Sequence, residues 1–349
     1  MLQYTLMKHL FYTNSESAWE GLRRAIFNAE KSIYFEMYIF IDDTDESKVI
    51  LKLLSEKARA GVRVRMILDW FGSYELSKDA IAQLRDAGAE LIFFKKIFRR
   101  LHRKILIVDE QVGFLGGVNI HGSARRWSDL LIRVEGPIVR SLIWSFRRIY
   151  RSSGGKDSAI LGYRRKALFG NTRIWMLEHV PFIRKPRLRD NYIETIFKAE
   201  HEVIFVTPYF LPHRWMIDLL RGTVARGVKV EVIVPLTTDI SFIDRANRRY
   251  MSMLSENGVK FYLTPRMNHA KLLLIDRKLA LVGSQNIDAL SFDFNAEIGV
   301  YFNDPKMISD LGAIVNIWKE KTTPFDPEKH ITFVDKVFSY MVKFLQPFL

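Results

Sequence analysis

Cysteine is absent from all 349 positions. That excludes structural disulfides, thiolate-bound zinc or iron–sulfur centres, and a thiol nucleophile. Long apolar runs are missing too, since no stretch approaches the roughly 20 residues of a membrane-spanning helix. Met1 to Asn14 carry no long apolar core behind a basic start, so no secretory leader is expected. The expectation is a protein that is soluble or peripheral to a membrane. Acidic residues are in deficit, 39 against 53 Lys plus Arg, for a formal charge of +14. Part of that excess is concentrated in Lys95, Lys96, Arg99, Arg100, Arg103 and Lys104. Such a field attracts polyanions, either nucleic acid or the anionic face of a membrane. With 48% apolar residues, the chain can bury one or two cores without metals or cross-links.

The same order of segments occurs twice. Ala29-Glu30 precedes the strand-like Ile33 to Phe40, and Ala199-Glu200 precedes Val203 to Phe210. Gly61 to Leu68 is matched by Gly227 to Val234, and Gly88 to Phe94 by Gly258 to Leu263. Helical spacing separates these runs, at Val49 to Ala60 and Trp215 to Arg226. The alternation predicts an α/β sandwich in each half, with helices on the faces of a largely parallel sheet. The division expected is residues 1–160, 161–325 and a tail, 326–349. Arg151 to Gly155, with the basic stretch to about Asn171, reads as the connection. In the tail, Phe333, Val334, Val337, Phe338, Met341 and Val342 recur at helical spacing, opposite Lys336 and Lys343. This predicts an amphipathic helix, either packed on the body or lying in a membrane interface.

Two of the eight histidines open one pattern: His102-x-Lys104-x4-Asp109 and His269-x-Lys271-x4-Asp276. A random histidine meets that spacing about once in several hundred cases at average composition. Two copies in register with a wider repeat therefore carry information. In an extended segment, residues two apart share a face, so each histidine and lysine point together. The apolar run that follows leads into a sheet interior, with Asp109 or Asp276 at its far end. Each copy continues to a small-residue turn, Gly116-Gly117-Val118-Asn119 and Gly283-Ser284-Gln285-Asn286. There the backbone can come close to a ligand, and Asn119, Ser284 and Asn286 can hydrogen-bond an anion. A carboxylate follows in each half, Asp129 and Glu297. These are the candidates for holding the second ring nitrogen of a reactive histidine.

His-x-Lys-x4-Asp followed by Gly-(Gly/Ser)-x-Asn, twice in one chain, resembles the phospholipase D superfamily. Among its members the wording is most similar to bacterial cardiolipin synthases: Trp127-Ser128-Asp129, Val134-Glu135-Gly136-Pro137 and Thr207-Pro208-Tyr209-Phe210-Leu211-Pro212. Many of those begin with two membrane-spanning segments, which are not read here, so the likeness is to the shorter type.

The resemblance implies two tandem phospholipase D-like α/β domains related by a pseudo-twofold axis, with both His-Lys pairs in one cleft and neither metal nor cofactor required. It implies His102 as nucleophile and His269 as general acid and base, in an assignment that near-symmetry could reverse. Lys104, Lys271, Asn119 and Asn286 would steady the phosphoryl oxygens, while Asp109 and Asp276 would be mainly structural. The expected activity is phosphatidyl transfer from phosphatidylglycerol, on the cytoplasmic face of a bacterial inner membrane. The expected partners are phospholipids and an anionic membrane surface. The alternatives are a phosphodiesterase or nuclease of the same superfamily, for which nucleic acid would be the partner, and a catalytically idle membrane scaffold.

Overall fold

The computed structural model describes residues 8–164, 172–181 and 188–331. The tail segment from residue 332 onward, expected to be amphipathic, lies outside the described residues, as does 165–171 of the expected connection.

The first half runs β1 (His9–Asn14), α1 (Ser15–Phe27), β2 (Ser32–Met37), α2 (Asp45–Arg59), β3 (Arg63–Asp69), α3 (Lys78–Asp86) and β4 (Glu90–Phe94). It continues through β5 (Ile105–Val108), β6 (Val112–Gly116), β7 (Ser128–Glu135), α4 (Ile138–Ser152) and the short α5 (Ser158–Leu161). The second half repeats the plan with β8 (Ile174–His179), α6 (Leu188–Phe197), β9 (Glu202–Val206), α7 (Arg214–Ala225), β10 (Lys229–Pro235), α8 (Ser241–Ser255) and β11 (Lys260–Thr264). It ends with β12 (Leu272–Ile275), β13 (Leu279–Gly283), β14 (Glu297–Phe302), α9 (Pro305–Glu320), β15 (Thr323–Pro324) and α10 (Pro327–His330).

The helices start where side chains can take up their orphan backbone donors. Asn14 caps α1, Thr44 forms a reciprocal box with Ser47 at α2, and Asp304 caps α9 ahead of Pro305.

The two sheets have the orders β1-β7-β6-β5-β2-β3-β4 and β15-β11-β10-β9-β12-β13-β14-β8. Apart from β15 the second order is the first repeated. Only β2-β3-β4 and β9-β10-β11 are parallel, so the expectation of a largely parallel sheet holds for just that portion. The physical reason is connection length. Helices cross between the parallel strands, whereas β5 turns straight back into β6 and β12 into β13.

The aspartates closing the two motifs sit in those tight returns. Asp109 and Glu110 have φ of 52° and 57°, and Asp276 and Arg277 have φ of 49° and 48°. The Asp109 carboxylate accepts the backbone N–H groups of Glu30, Lys31 and Ser32, and Asp276 those of Glu200, His201 and Glu202. Each aspartate thus ties the start of a central parallel strand to the hairpin.

Apolar side chains gather in three layers. One core lies between α1, α2, α3 and the outer face of the first sheet, and another between α6, α7, α8 and the second sheet. The third is shared: Tyr34, Ile107 and Ile132 of the first half, with Leu142 and Phe146 of α4, pack with Leu274, Val300 and Leu311 of the second. Each fully buried aliphatic side chain there is worth about 1.5–3 kcal/mol. Arg103 also lies in this layer, fully buried, 3.0 Å from Glu36 and 3.5 Å from Glu178 across the two halves. Arg103 and Lys104 are therefore interior, and only Lys95, Lys96, Arg99 and Arg100 of the basic cluster remain toward solvent.

Candidate active site

The site forms where two short backbone bridges cross between the halves. Leu101 pairs in parallel with Ala296, whose N–H donates to the Arg100 carbonyl at 2.8 Å. Ser128 pairs in parallel with Asn268, and His269 N–H donates to the Ser128 carbonyl at 2.7 Å. Because both bridges are parallel, the next residue on each strand meets its counterpart. His102 meets Glu297, and His269 meets Asp129.

The imidazole pairing is accordingly crossed. His102 Nδ1 lies 2.9 Å from Glu297 Oε1, and His269 Nδ1 lies 2.8 Å from Asp129 Oδ2. A carboxylate is an acceptor only, so each Nδ1 carries the proton and each Nε2 keeps its lone pair. All four groups are buried; His102 and His269 retain 7% and 4% exposure.

His102 and Lys104 precede β5, and His269 and Lys271 precede β12, in extended segments that place each pair on one face. Lys104 donates from Nζ to the His102 carbonyl at 2.8 Å, and Lys271 makes the matching bond to His269. Both ammonium groups are buried, and each acts electrostatically on both imidazoles. The four motif side chains therefore form a single cluster.

Burial and the lysines depress both imidazoles to about 4, against the pull of their carboxylates. Burial likewise brings Lys271 down to about 8 and lowers Lys104 strongly. Burial alone would raise Asp129 and Glu297, but the neighbouring histidines and lysines hold both carboxyls below their ordinary range. At neutral pH the site thus presents two neutral imidazoles beside ionised carboxylates, with Lys271 largely protonated.

The supports differ between the halves. Glu297 receives the hydroxyls of Ser284 and Ser291. Among the described residues, Asp129 receives only the Leu130 N–H besides His269. At the place matching Ser284 stands Gly117, where a Cβ would fall 2.2 Å from Asp129 Oδ1. Ser284, read from the sequence as a phosphate contact, thus has its hydroxyl on the carboxylate, and its oxygen accepts the Ile298 N–H at 3.1 Å.

Asn119 and Asn286 are buried in the two equivalent small-residue turns, with Oδ1 atoms that find no partner among the described residues. Asp109 and Asp276 are not part of the cluster. They lie at the opposite edge of the sheets, a six-residue strand or roughly 20 Å away.

Sequence reasoning missed Tyr38, Tyr209 and Ser291. The Tyr38 ring lies 4.8 Å from His102 and 4.9 Å from the Lys104 ammonium. Tyr209 faces His269 at 6.4 Å and donates its hydroxyl to Asp239 at 2.6 Å. Burial pushes the Tyr38 phenol up to about 12, so it remains a donor. Both tyrosines follow the carboxyl ends of parallel strands, where ligands collect in α/β sheets, and that was the available signal.

Comparison with known proteins bears on the family and the fold. A cardiolipin synthase of Alkalihalophilus pseudofirmus is 28% identical over 97% of this chain, which spans 71% of that protein. One of Geobacillus kaustophilus is 30% identical over 86% of this chain, which spans 64% of the relative's length. The crystal structure of phosphatidylserine synthase from Haemophilus influenzae Rd KW20 superposes with a TM-score of 0.78 at 15% identity, covering 98% of this chain and 94% of that one. Polyphosphate kinase from Porphyromonas gingivalis shares the fold at a TM-score of 0.64 and 13% identity, over 92% of this chain and 49% of its own. The model of the family described as cardiolipin synthase, phospholipase D-like domain, matches residues 22–150 and 192–318, and the chain belongs to that family.

Proposed function

We propose that the chain is a phosphatidyltransferase that joins two phosphatidylglycerol molecules into cardiolipin and releases glycerol. The observation that carries this reading is the pair of buried imidazoles, each with Nδ1 on a carboxylate and Nε2 unprotonated, in one cluster with two lysines. In the first step His102 Nε2 attacks the donor phosphorus as the bond to the glycerol headgroup oxygen breaks. His269 supplies the proton that leaves with glycerol. The incoming phosphodiester anion favours the protonated imidazole needed for this step.

In the second step a hydroxyl of another phosphatidylglycerol gives its proton to His269 and attacks phosphorus. The bond to His102 breaks and the free imidazole returns. Lys104 and Lys271 offset the charge developing on the phosphoryl oxygens. Asn119 and Asn286 can donate to those oxygens through Nδ2 and accept from an alcohol through Oδ1.

The reading includes a division into domains at 1–160 and 161–325, and peripheral attachment to the cytoplasmic face of an anionic membrane. The excess of 14 positive charges supports attachment to such a surface. No helix among the described residues is long and apolar enough to cross a membrane.

The test is turnover of headgroup-labelled phosphatidylglycerol beside plasmid DNA. Labelled glycerol and cardiolipin together support transfer. Glycerol with phosphatidic acid alone would indicate a hydrolase, and cleavage of DNA alone a nuclease.

A further inference from the structure

Two loops of the first half carry large apolar side chains turned to solvent. Between β3 and α3, Trp70 and Phe71 are each 53% exposed, and between β4 and β5, Ile97 and Phe98 are each 82% exposed. Residues so apolar cost free energy in water unless something covers them. The loops are tied together through Asp69. Its carboxylate accepts the N–H groups of Phe71 and Gly72 in one loop and of Leu101 in the other. Ile97 and Phe98 form the tip of a tight turn closed by Arg99 N–H on the Lys96 carbonyl at 3.4 Å. Phe98 adopts φ of 58°, a strained conformation for a bulky residue, which holds the tip outward.

Cations stand among these rings. The Lys95 ammonium lies 5.5 Å over Trp70 and the Arg100 guanidinium 4.1 Å over Phe71, with Lys96 and Arg99 exposed beside the tip. The acids of these loops are Asp69, which is buried, and Glu75, which is bonded to the Tyr74 hydroxyl. From the tip the chain descends directly through Leu101 to His102, so the patch borders the mouth of the site.

We propose that these two loops form a docking surface for an anionic phospholipid bilayer. Ile97 and Phe98 enter the boundary between headgroups and acyl chains, Trp70 and Phe71 lie at headgroup level, and Lys95, Lys96, Arg99 and Arg100 meet lipid phosphates. The inference rests on the phosphatidyl-transfer reading, because it seats the mouth of the site where a donor lipid would present its headgroup. The charge pattern selects this occupant: an apolar tip ringed by cations complements a bilayer of negative surface potential better than it complements a second copy of this +14 chain.

The lack of any native cysteine allows a direct test. Ile97→Cys labelled with an environment-sensitive fluorophore is mixed with vesicles of phosphatidylserine in phosphatidylcholine, or of phosphatidylcholine alone. Phe27→Cys, at the opposite edge of the sheet just before β2 begins, is the control. The expected result is a blue shift at position 97, quenched by spin-labelled lipid, stronger with the anionic vesicles and absent at position 27. The Ile97→Ser/Phe98→Asn double variant should lose tenfold or more in partition to those vesicles. It should turn over dissolved dihexanoylphosphatidylglycerol as the unaltered chain does.

An unshifted label at position 97, equal response to both vesicles, or unchanged partition of the double variant would overturn the docking surface. So would a dimer in solution that the double variant abolishes, because the patch would then face a second copy. Failure of the unaltered chain to use the dissolved substrate would count against phosphatidyl transfer alone, leaving the vesicle result to stand by itself.

Discussion

His102 and Glu297 are 195 residues apart in sequence, yet Nδ1 of one lies 2.9 Å from Oε1 of the other. His269 and Asp129 repeat the arrangement in the opposite sense. Each acid–base unit thus takes its imidazole from one half and its carboxylate from the other. Neither motif histidine takes its carboxylate from its own half.

Replacing Glu297 by Gln, or Asp129 by Asn, keeps the volume but removes the fixed acceptor that selects the Nδ1–H tautomer. By analogy with histidines held by a buried carboxylate elsewhere, kcat should fall by up to about 10⁴-fold with the fold retained. Steady-state rates, with circular dichroism as the control on folding, check this. A loss under tenfold in both variants would contradict the orienting role.

The depressed imidazoles have a consequence for stability. Their folded values are about 4, below the ordinary 6.5, so between those limits the unfolded chain binds more protons than the folded one. The contribution is fully present above 6.5 and is lost as pH falls toward 4. The urea midpoint should therefore drop between pH 7 and pH 5 by more in the unaltered chain than in a His102→Asn/His269→Asn double variant. Equal drops would mean that these two groups do not carry the acid sensitivity.

Asp109 and Asp276 belong to the motif by spacing, but their partners are backbone donors at the far edge of the sheets. Asp276→Ala leaves three N–H groups without their acceptor and should cost about 1–3 kcal/mol of stability. kcat of the folded fraction should change less than threefold. A large loss of kcat without loss of stability would place Asp276 in the chemistry instead.

Arg103 is fully buried beside Glu36 and Glu178. Arg103→Met removes the cation and leaves Glu36 in the interior without it, while Glu178 keeps Arg148 and Ser145, and breaking a buried pair in this way typically costs about 3–5 kcal/mol. Denaturant titration reads it. Replacing Arg103 and Glu36 together by apolar residues should recover much of the loss. In the second half the place matching Arg103 is held by Ala270, fully buried in the shared apolar core.

Much of this molecule is legible in the sequence because it is written twice. The duplicated His-x-Lys-x4-Asp spacing, the small-residue turns and the paired strands locate both motifs and both carboxylates. What cannot be read is how the halves face one another. Spacing puts Asp129 nearest His102 along the chain, whereas the parallel bridges Leu101–Ala296 and Ser128–Asn268 exchange the partners.

Ser284 was legible as a polar turn residue but not as a support for Glu297, since that depends on a contact made after folding. The sheet was misjudged as largely parallel because hairpin returns at Asp109 and Asp276 leave little signal beyond two apolar runs and a polar pair. Tyr38 and Tyr209 were hidden inside strand-like runs, where an aromatic residue reads as core.

The central claim, that both histidines act on one phosphorus, is tested most directly by rapid quenching during turnover of phosphatidylglycerol, followed by mass spectrometry of the peptides that carry His102 and His269. The account predicts a phosphatidyl adduct on one of these histidines, formed and discharged at the rate of turnover. His102→Ala and His269→Ala should each abolish cardiolipin formation. Steady turnover by either variant, or an adduct on any other residue, would contradict it.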